Sequence, residues 1–128
     1  MKILIIGFGH LGKCLSAKFL EKGWGVIVLD IKPLKKSLRS VPSGMTLIQG
    51  DATKKNVLAK IDWKDISEVY ICIRKDEAAN LLASLVLKDI GVPNVTSAYI
   101  SDLQAQALSY KEVRILDTAA ETANVIAH

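Results

Sequence analysis

Short apolar runs rich in isoleucine and valine alternate along the chain with longer stretches whose apolar residues recur every three or four positions. The runs cover residues 2–6, 26–29, 46–48, 69–73, 95–100 and 113–116. They show little odd–even alternation, as expected of parallel strands covered on both faces. The longer stretches read as helices. The first covers 10–22, with Leu11, Cys14, Leu15 and Phe19 on one face and Gly23 as its stop. A short helix is expected after Pro33, which suits a first-turn position. A third starts near Thr53 and carries Val57, Leu58 and Ile61. The fourth covers 76–90, with Leu82, Val86 and Ile90 in register and Gly91-Val92-Pro93 as its stop. Ser101 with Gln104, and Thr118 with Glu121, form capping-box patterns that open the last two helices.

Six strands joined by helical crossovers form two βαβαβ halves. Right-handed crossovers then predict an α/β fold: one doubly wound parallel sheet ordered 3-2-1-4-5-6, with residues 1–128 as a single domain. Composition agrees, because 128 residues at 50% hydrophobic supply a core of the right size. No apolar run reaches the roughly 18 residues of a membrane helix. Met1-Lys2 followed by Ile3-Leu4-Ile5-Ile6 is too short for an export signal and reads as a buried strand. A cytoplasmic location is therefore expected, with Cys14 and Cys72 as reduced core residues. The net charge of +4 is carried by two basic clusters, Lys32, Lys35, Lys36 and Arg39, and Lys54, Lys55, Lys60 and Lys64. Without interleaved aromatics these read as solvated helix surface, and no direct nucleic-acid contact is expected.

Chemistry concentrates at the end of the first strand. Gly7-Phe8-Gly9-His10-Leu11-Gly12 is a G-x-G-x-x-G run that follows an apolar strand and opens an amphipathic helix. Gly7 permits the tight turn, Gly9 lets a pyrophosphate approach the backbone, and Gly12 lets helix and strand pack closely. The helix N-terminus offers unpaired N–H groups to phosphate. Asp30 ends the second strand about twenty residues on, where an acid accepts hydrogen bonds from an adenosine ribose. After the third strand, Gly50-Asp51-Ala52-Thr53 reads either as a helix cap or as an acid placed to meet the adenine amino group. Arg74 or Lys75, past the fourth strand, faces the distal part of a dinucleotide, and Asp76 is a candidate cap. Catalytic equipment is sparse. His10 lies in the phosphate loop, His128 is the last residue, and neither a G-x-S-x-G run nor a metal-ligand spacing occurs.

The glycine loop, Val28-Leu29-Asp30, Gly50-Asp51-Ala52-Thr53, the start of the 76–83 helix and Gly91-Val92-Pro93-Asn94-Val95 occur in an order that resembles a known family. Together they look like the N-terminal domain of Trk and Ktr potassium-uptake regulators, also called the RCK or KTN domain. The resemblance covers essentially the whole chain. It implies a cytoplasmic regulatory module, not an enzyme, that binds NAD(H) or an adenine nucleotide (ATP, ADP or AMP). It also implies a homodimer or higher ring acting on a membrane potassium channel or transporter subunit. By motif position, Gly7, Gly9, Gly12, Asp30, Asp51 and Thr53 carry over as ligand residues; with their neighbours Phe8, His10, Leu11, Ile31, Lys32, Ala52, Ile73 and Arg74 they form the expected cofactor-binding set. His10 stands where many relatives have arginine, and Lys32 where they often have an acid or amide. No catalytic or metal-ligating residue is implied. Two other classes fit the same fold: a small NAD-dependent oxidoreductase or a subunit of one, and a nucleotide or redox sensor of another transporter.

Overall fold

The computed structural model describes residues 1–34 and 40–127. In chain order the elements are β1 (Lys2–Ile6), α1 (His10–Glu21), β2 (Gly25–Asp30), β3 (Met45–Gln49), α2 (Lys55–Ala59), β4 (Ile66–Ile71), α3 (Glu77–Asp89), β5 (Val95–Ala98), α4 (Asp102–Ser109), β6 (Arg114–Leu116) and α5 (Thr118–Ala127). The strands pair in the order β3-β2-β1-β4-β5-β6, all parallel. This is the doubly wound sheet that the pattern predicts. Most of the short helix expected after Pro33 lies outside the described residues, as do Lys35, Lys36 and Arg39.

A sheet buried on both faces needs a core on each side. On one side, Leu4, Ile6, Val69 and Ile71 pack with Leu58 of α2, Ala83 and Leu87 of α3 and Leu108 of α4. On the other, Ile3, Ile5, Val26 and Val28 pack with Phe8 and Cys72, and Leu11, Leu15 and Phe19 of α1 close over them. β1 lies at the centre, and Ile3, Leu4 and Ile5 are fully excluded from solvent. Its unalternated Ile-Leu-Ile-Ile run follows from being covered on both faces.

Several expectations are corrected, and polar residues cause most of the corrections. α3 buries only part of the expected face: Val86 and Ile90 pack against the core, but Leu82 does not. Its buried residues are Asn80, Ala83, Ser84 and Leu87, spaced as one helical stripe, while Leu82 and Leu85 are 50% and 42% exposed. A hydrophobicity pattern reads Asn80 and Ser84 as surface. They are inside because their polar atoms are satisfied; Ser84 Oγ donates to the Asn80 carbonyl at 2.8 Å. α1 repeats the lesson: Gly12 and Ser16 are its buried residues, with Ser16 Oγ bonded to the Gly12 carbonyl at 2.7 Å. Cys14, expected in the core, is exposed, with Sγ 3.7 Å from His10 Nε2. β4 begins three residues earlier than expected, because Ile66 and Glu68 already pair with Lys2 and Ile3 of β1; the Glu68 side chain, in mid-strand, accepts a hydrogen bond from the Tyr70 hydroxyl at 2.5 Å. Burial, then the bond to Glu68, push the Tyr70 phenol up to about 12. β4 also ends at Ile71, and β5 ends at Ala98, short of the expected Ile73 and Ile100.

The caps are likewise adjusted. Asp76 caps α3 as expected, accepting from Ala79 N at 3.0 Å. Ser101 caps α4 through Gln104 N, but the Gln104 side chain does not complete the box. It turns inward and is fully buried. α5 is capped one residue before the expected Thr118: Asp117 Oδ1 accepts from Ala120 N at 3.2 Å. A carboxylate is the stronger acceptor at a helix N-terminus. Ala119, Ala120, Ala123, Val125 and Ile126 of α5 are all exposed, so these five are not buried on the helix's own sheet.

The corrected α3 face makes a stability prediction. Leu87→Ala is expected to cost about 2–5 kcal/mol in urea unfolding. Leu82→Ala, a change at a half-exposed site, is expected to cost no more than about 0.5 kcal/mol. Equal losses would contradict the assigned face.

Candidate functional site

The turn from β1 into α1 is short and crowded. Gly7 has φ +92, and a Cβ there would lie 3.2 Å from the Cys72 and Ile73 backbone. Crowding is greater at Gly12, where an added Cβ would stand 2.3 Å from the Gly7 carbonyl oxygen, far inside van der Waals contact. Gly9 is different: a Cβ there meets nothing within 4 Å. The first and last glycines thus serve the fold, and the middle one leaves open space.

That space belongs to a crevice of about 660 Å³ above the carboxyl ends of β1 to β4. Of the fourteen residues expected from the sequence, all but Gly12 line it: Gly7, Phe8, Gly9, His10, Leu11, Asp30, Ile31, Lys32, Asp51, Ala52, Thr53, Ile73 and Arg74. Gly12 lies beneath, against Gly7. The sequence reading left Ile6, Leu29, Gly50, Cys72, Lys75, Asp76 and Ala79 out of that set, and they line the crevice too. Lys75 and Asp76 were legible from their place after β4. Cys72 was read as core, which it is: burial pushes its thiol up to about 12. The apolar floor is made by the last residues of buried strands, so it follows once the strand ends are known.

Helix α1 aims its N-terminus into this crevice. Its cap is Gly9, which has no side chain to bond the first N–H groups, and no acid lies in its first turn. By contrast, Asp76 and Ser101 bond the first turns of α3 and α4. The start of α1 therefore offers free N–H groups and a positive dipole end to an anion. Around it stand His10, Lys32, Arg74 and Lys75, all exposed, with Asp30 and Asp51 toward β2 and β3.

Asp30 has a structural duty that sequence spacing does not reveal. Its Oδ2 accepts from Phe8 N at 2.8 Å, and its Oδ1 accepts from Lys32 N at 2.8 Å. The carboxylate ties the end of β2 to the glycine loop. Each oxygen keeps a second acceptor site for a hydroxyl. Asp51 does not cap α2. Its Oδ1 takes both the Thr53 N–H at 2.9 Å and the Thr53 hydroxyl at 2.7 Å, closing a turn. Those two bonds hold the Asp51 carboxyl below its ordinary range. The turn delays the helix, so α2 starts at Lys55, with Lys54 as a cap that makes no side-chain bond. The lysines of the second basic cluster are exposed, and Lys55 pairs with Asp89 at 2.8 Å. Among the described residues, no group of three or more His, Cys, Asp or Glu is arranged to hold a metal ion, and no helix is long and apolar enough to cross a membrane.

Comparison with known proteins places this geometry in a family. The family model described as the TrkA-N domain matches residues 3–119. The Ktr system potassium uptake protein C of Bacillus subtilis (strain 168) is 28% identical over 105 residues, covering 82% of this chain and 47% of that protein. The probable potassium channel protein 2 of Methanocaldococcus jannaschii is 32% identical over 94 residues, covering 72% of this chain and 27% of that protein. The chain thus spans less than half the length of these two relatives. Among solved structures, the TrkA-N domain of the inner membrane protein ybaL from Escherichia coli superposes with a TM-score of 0.78 at 12% identity, covering 98% of this chain and 93% of that one. The AMP-bound Kef C-terminal domain of Shewanella denitrificans gives 0.74 at 18% identity, covering 96% and 75%. The GsuK channel bound to NAD gives 0.75 at 14%, covering 90% and 21%. At these identities the solved structures carry the fold alone.

The unequal roles of the glycines are testable without any ligand. Gly12→Val is expected to cost about 3 kcal/mol or more in urea unfolding, because the branched side chain meets backbone. Gly9→Val is expected to cost less than about 1 kcal/mol, since its side chain enters open space. A reversed order would mean that the loop is packed differently.

Proposed function

The chain belongs to the TrkA-N domain family, and from that premise we propose that it is a cytoplasmic nucleotide-binding regulatory module of potassium transport. The observation that carries this reading is the uncapped start of α1, facing a crevice with Asp30 on one side and Arg74 on the other. The proposed ligand is NAD(H) or an adenine nucleotide such as ATP, ADP or AMP. Its ribose meets the free acceptor sites of Asp30, beside Ile31 and Lys32. Its phosphates meet the N–H groups at Gly9, His10 and Leu11. The adenine lies toward Asp51, Ala52 and Thr53, and Phe8 and Ile73 supply apolar wall. The named functions of two relatives, potassium uptake and a probable potassium channel, support the transport role. The AMP and NAD bound to two proteins of the same fold support the choice of ligand.

We read the crevice as a binding site rather than a catalytic one. Its three carboxylates, Asp30, Asp51 and Asp76, all accept backbone N–H bonds. Such carboxylates are suited to hold loops and hydroxyls in place. The proposed output is conformational: the ligand joins elements on both sides of the glycine loop, and a change in their spacing is passed to a membrane potassium channel or transporter subunit.

Calorimetric titration of the full chain tests the ligand. Wild type is expected to bind AMP and NADH, and folded Gly9→Val to lose at least about 1.5–3 kcal/mol, or roughly ten- to a hundredfold, as its phosphate contacts are blocked. NADPH is expected to bind more weakly than NADH, because Asp30 repels a 2′-phosphate, and Asp30→Ala is expected to narrow that gap. Unchanged affinity in Gly9→Val would move the ligand elsewhere. NADPH binding as tight as NADH would give Lys32 the ribose end.

The surface position of α5 supports a second element of the reading. Val125 and Ile126 are 75% and 79% exposed. Covering each is favourable by about 1.5–3 kcal/mol, and the alanines beside them allow close approach of another helix. The proposed partner is a second copy of the chain, giving a homodimer or a higher ring. Light scattering at high micromolar concentration is expected to give a dimer or larger for the full chain, and a monomer for a version ending at Leu116. A full-length monomer would sink the dimer, and a dimeric truncation would move the interface to another face.

A further inference from the structure

Asn80, Ser97 and Gln104 are polar and wholly excluded from solvent. They come from α3, β5 and α4, and none lines the crevice. Their hydrogen bonds fix the orientation of both side-chain amides. The Ile73 carbonyl can only accept, so Asn80 turns Nδ2 toward it at 3.0 Å and gives its second amide hydrogen to Ser97 Oγ at 2.8 Å. The Ile100 N–H can only donate, so Gln104 turns Oε1 toward it at 3.1 Å. Gln104 Nε2 is then left to donate to Asn80 Oδ1 and to the Ala98 carbonyl, each at 3.0 Å. Among the described residues no buried side-chain nitrogen or oxygen lacks a partner. The Ser97 hydroxyl has both Asn80 Oδ1 and the Ala98 carbonyl within reach, at 3.2 and 3.1 Å. A buried network in which every polar atom has a partner is rigid, and costly to open in a low dielectric.

The outer end of this network is the Ile73 carbonyl, where the chain leaves β4 and enters the crevice wall that carries Arg74, Lys75 and Asp76. Asp30 and Asp51 stand on the opposite side of the glycine loop, at the ends of β2 and β3. A nucleoside monophosphate with its ribose at Asp30 and its phosphate at the start of α1 ends at the loop. Only a ligand that continues past that phosphate crosses to the β4 side.

We propose that the buried Asn80–Ser97–Gln104 network is a positioning device: it sets the 73–76 segment to receive the second half of a dinucleotide, and so fixes how strongly the chain prefers a dinucleotide to a mononucleotide. This rests on the nucleotide reading above. The network touches no ligand. It acts through the backbone at Ile73, which explains why three polar side chains are retained where apolar residues would fill the space as well.

The test is the ratio of two affinities in the full chain, measured by calorimetry with NADH and AMP. Asn80→Ala is expected to weaken NADH by about tenfold and to leave AMP within about twofold. Leu87→Ala truncates the same helix outside the network and is expected to leave the ratio unchanged, which separates positioning from general loss of stability. Should Asn80→Ala fail to fold, Ser97→Ala removes one hydroxyl, both donor and acceptor, and keeps the bond to Ile73. It is expected to shift the ratio in the same direction by about threefold. Equal loss of both ligands, or an unchanged ratio in a folded variant, overturns the positioning role while the nucleotide reading stands. A wild-type chain that binds neither ligand overturns the nucleotide reading and the selectivity claim together. Hydrogen exchange of the ligand-free chain gives a separate readout: amides of residues 74–79 are expected to exchange faster in Asn80→Ala than in Leu87→Ala, and equal rates overturn the proposal.

Discussion

The contact between the backbone at Gly12 and the Gly7 carbonyl is the constraint from which the rest of the molecule is built. It leaves no room for a Cβ, which would come within 2.3 Å of that oxygen. Only because α1 can approach this closely does it start at the end of β1, at the place where the strand order reverses. From there its uncapped N-terminus opens between strands that diverge to either side. The Asp30 carboxylate then fastens β2 to the same loop through Phe8 N. The crevice, and with it the proposed positions of phosphate and ribose, follows from one tight turn.

Much of this was legible in the sequence. β1 is fully buried on both faces, so its apolar run carries no competing polar signal, and its limits are found as expected. The glycine spacing and the acid at the end of β2 report local backbone requirements, which a sequence states directly. All the expected crevice residues except Gly12 converge on one cavity for that reason. Gly12 is the instructive exception, because its role is to be absent from the surface.

What the sequence concealed is the polar part of the interior. Ser16, Asn80, Ser84, Ser97 and Gln104 are all buried. Each is tolerated there because a specific partner meets it: a carbonyl one turn back for Ser16 and Ser84, and side chains far apart in sequence, invisible to periodicity, for Asn80, Ser97 and Gln104. The same blindness misphased α3, sent Cys14 into the core and read Gln104 as half of a capping box. Asn80, Ser84 and Gln104 share one physical source: they are buried through hydrogen bonding, which apolarity does not report, whereas Cys14 is the reverse case, a weakly polar side chain left exposed. Asn80, Ser84, Ser97 and Gln104 lie on the β4–β5–β6 half of the sheet, where the distal wall of the crevice is held from below rather than by a glycine motif, while Cys14 and Ser16 belong to α1.

The central claim is that the start of α1 receives the phosphate of an adenine nucleotide. Amide chemical-shift mapping of the full chain during titration with AMP tests it most directly. The account predicts the largest shifts at the N–H groups of Gly9, His10 and Leu11, with smaller ones near Asp30 and Asp51, and little change on the outer face of α3. Shifts centred on α3, or no saturable shifts at the glycine loop, would contradict it.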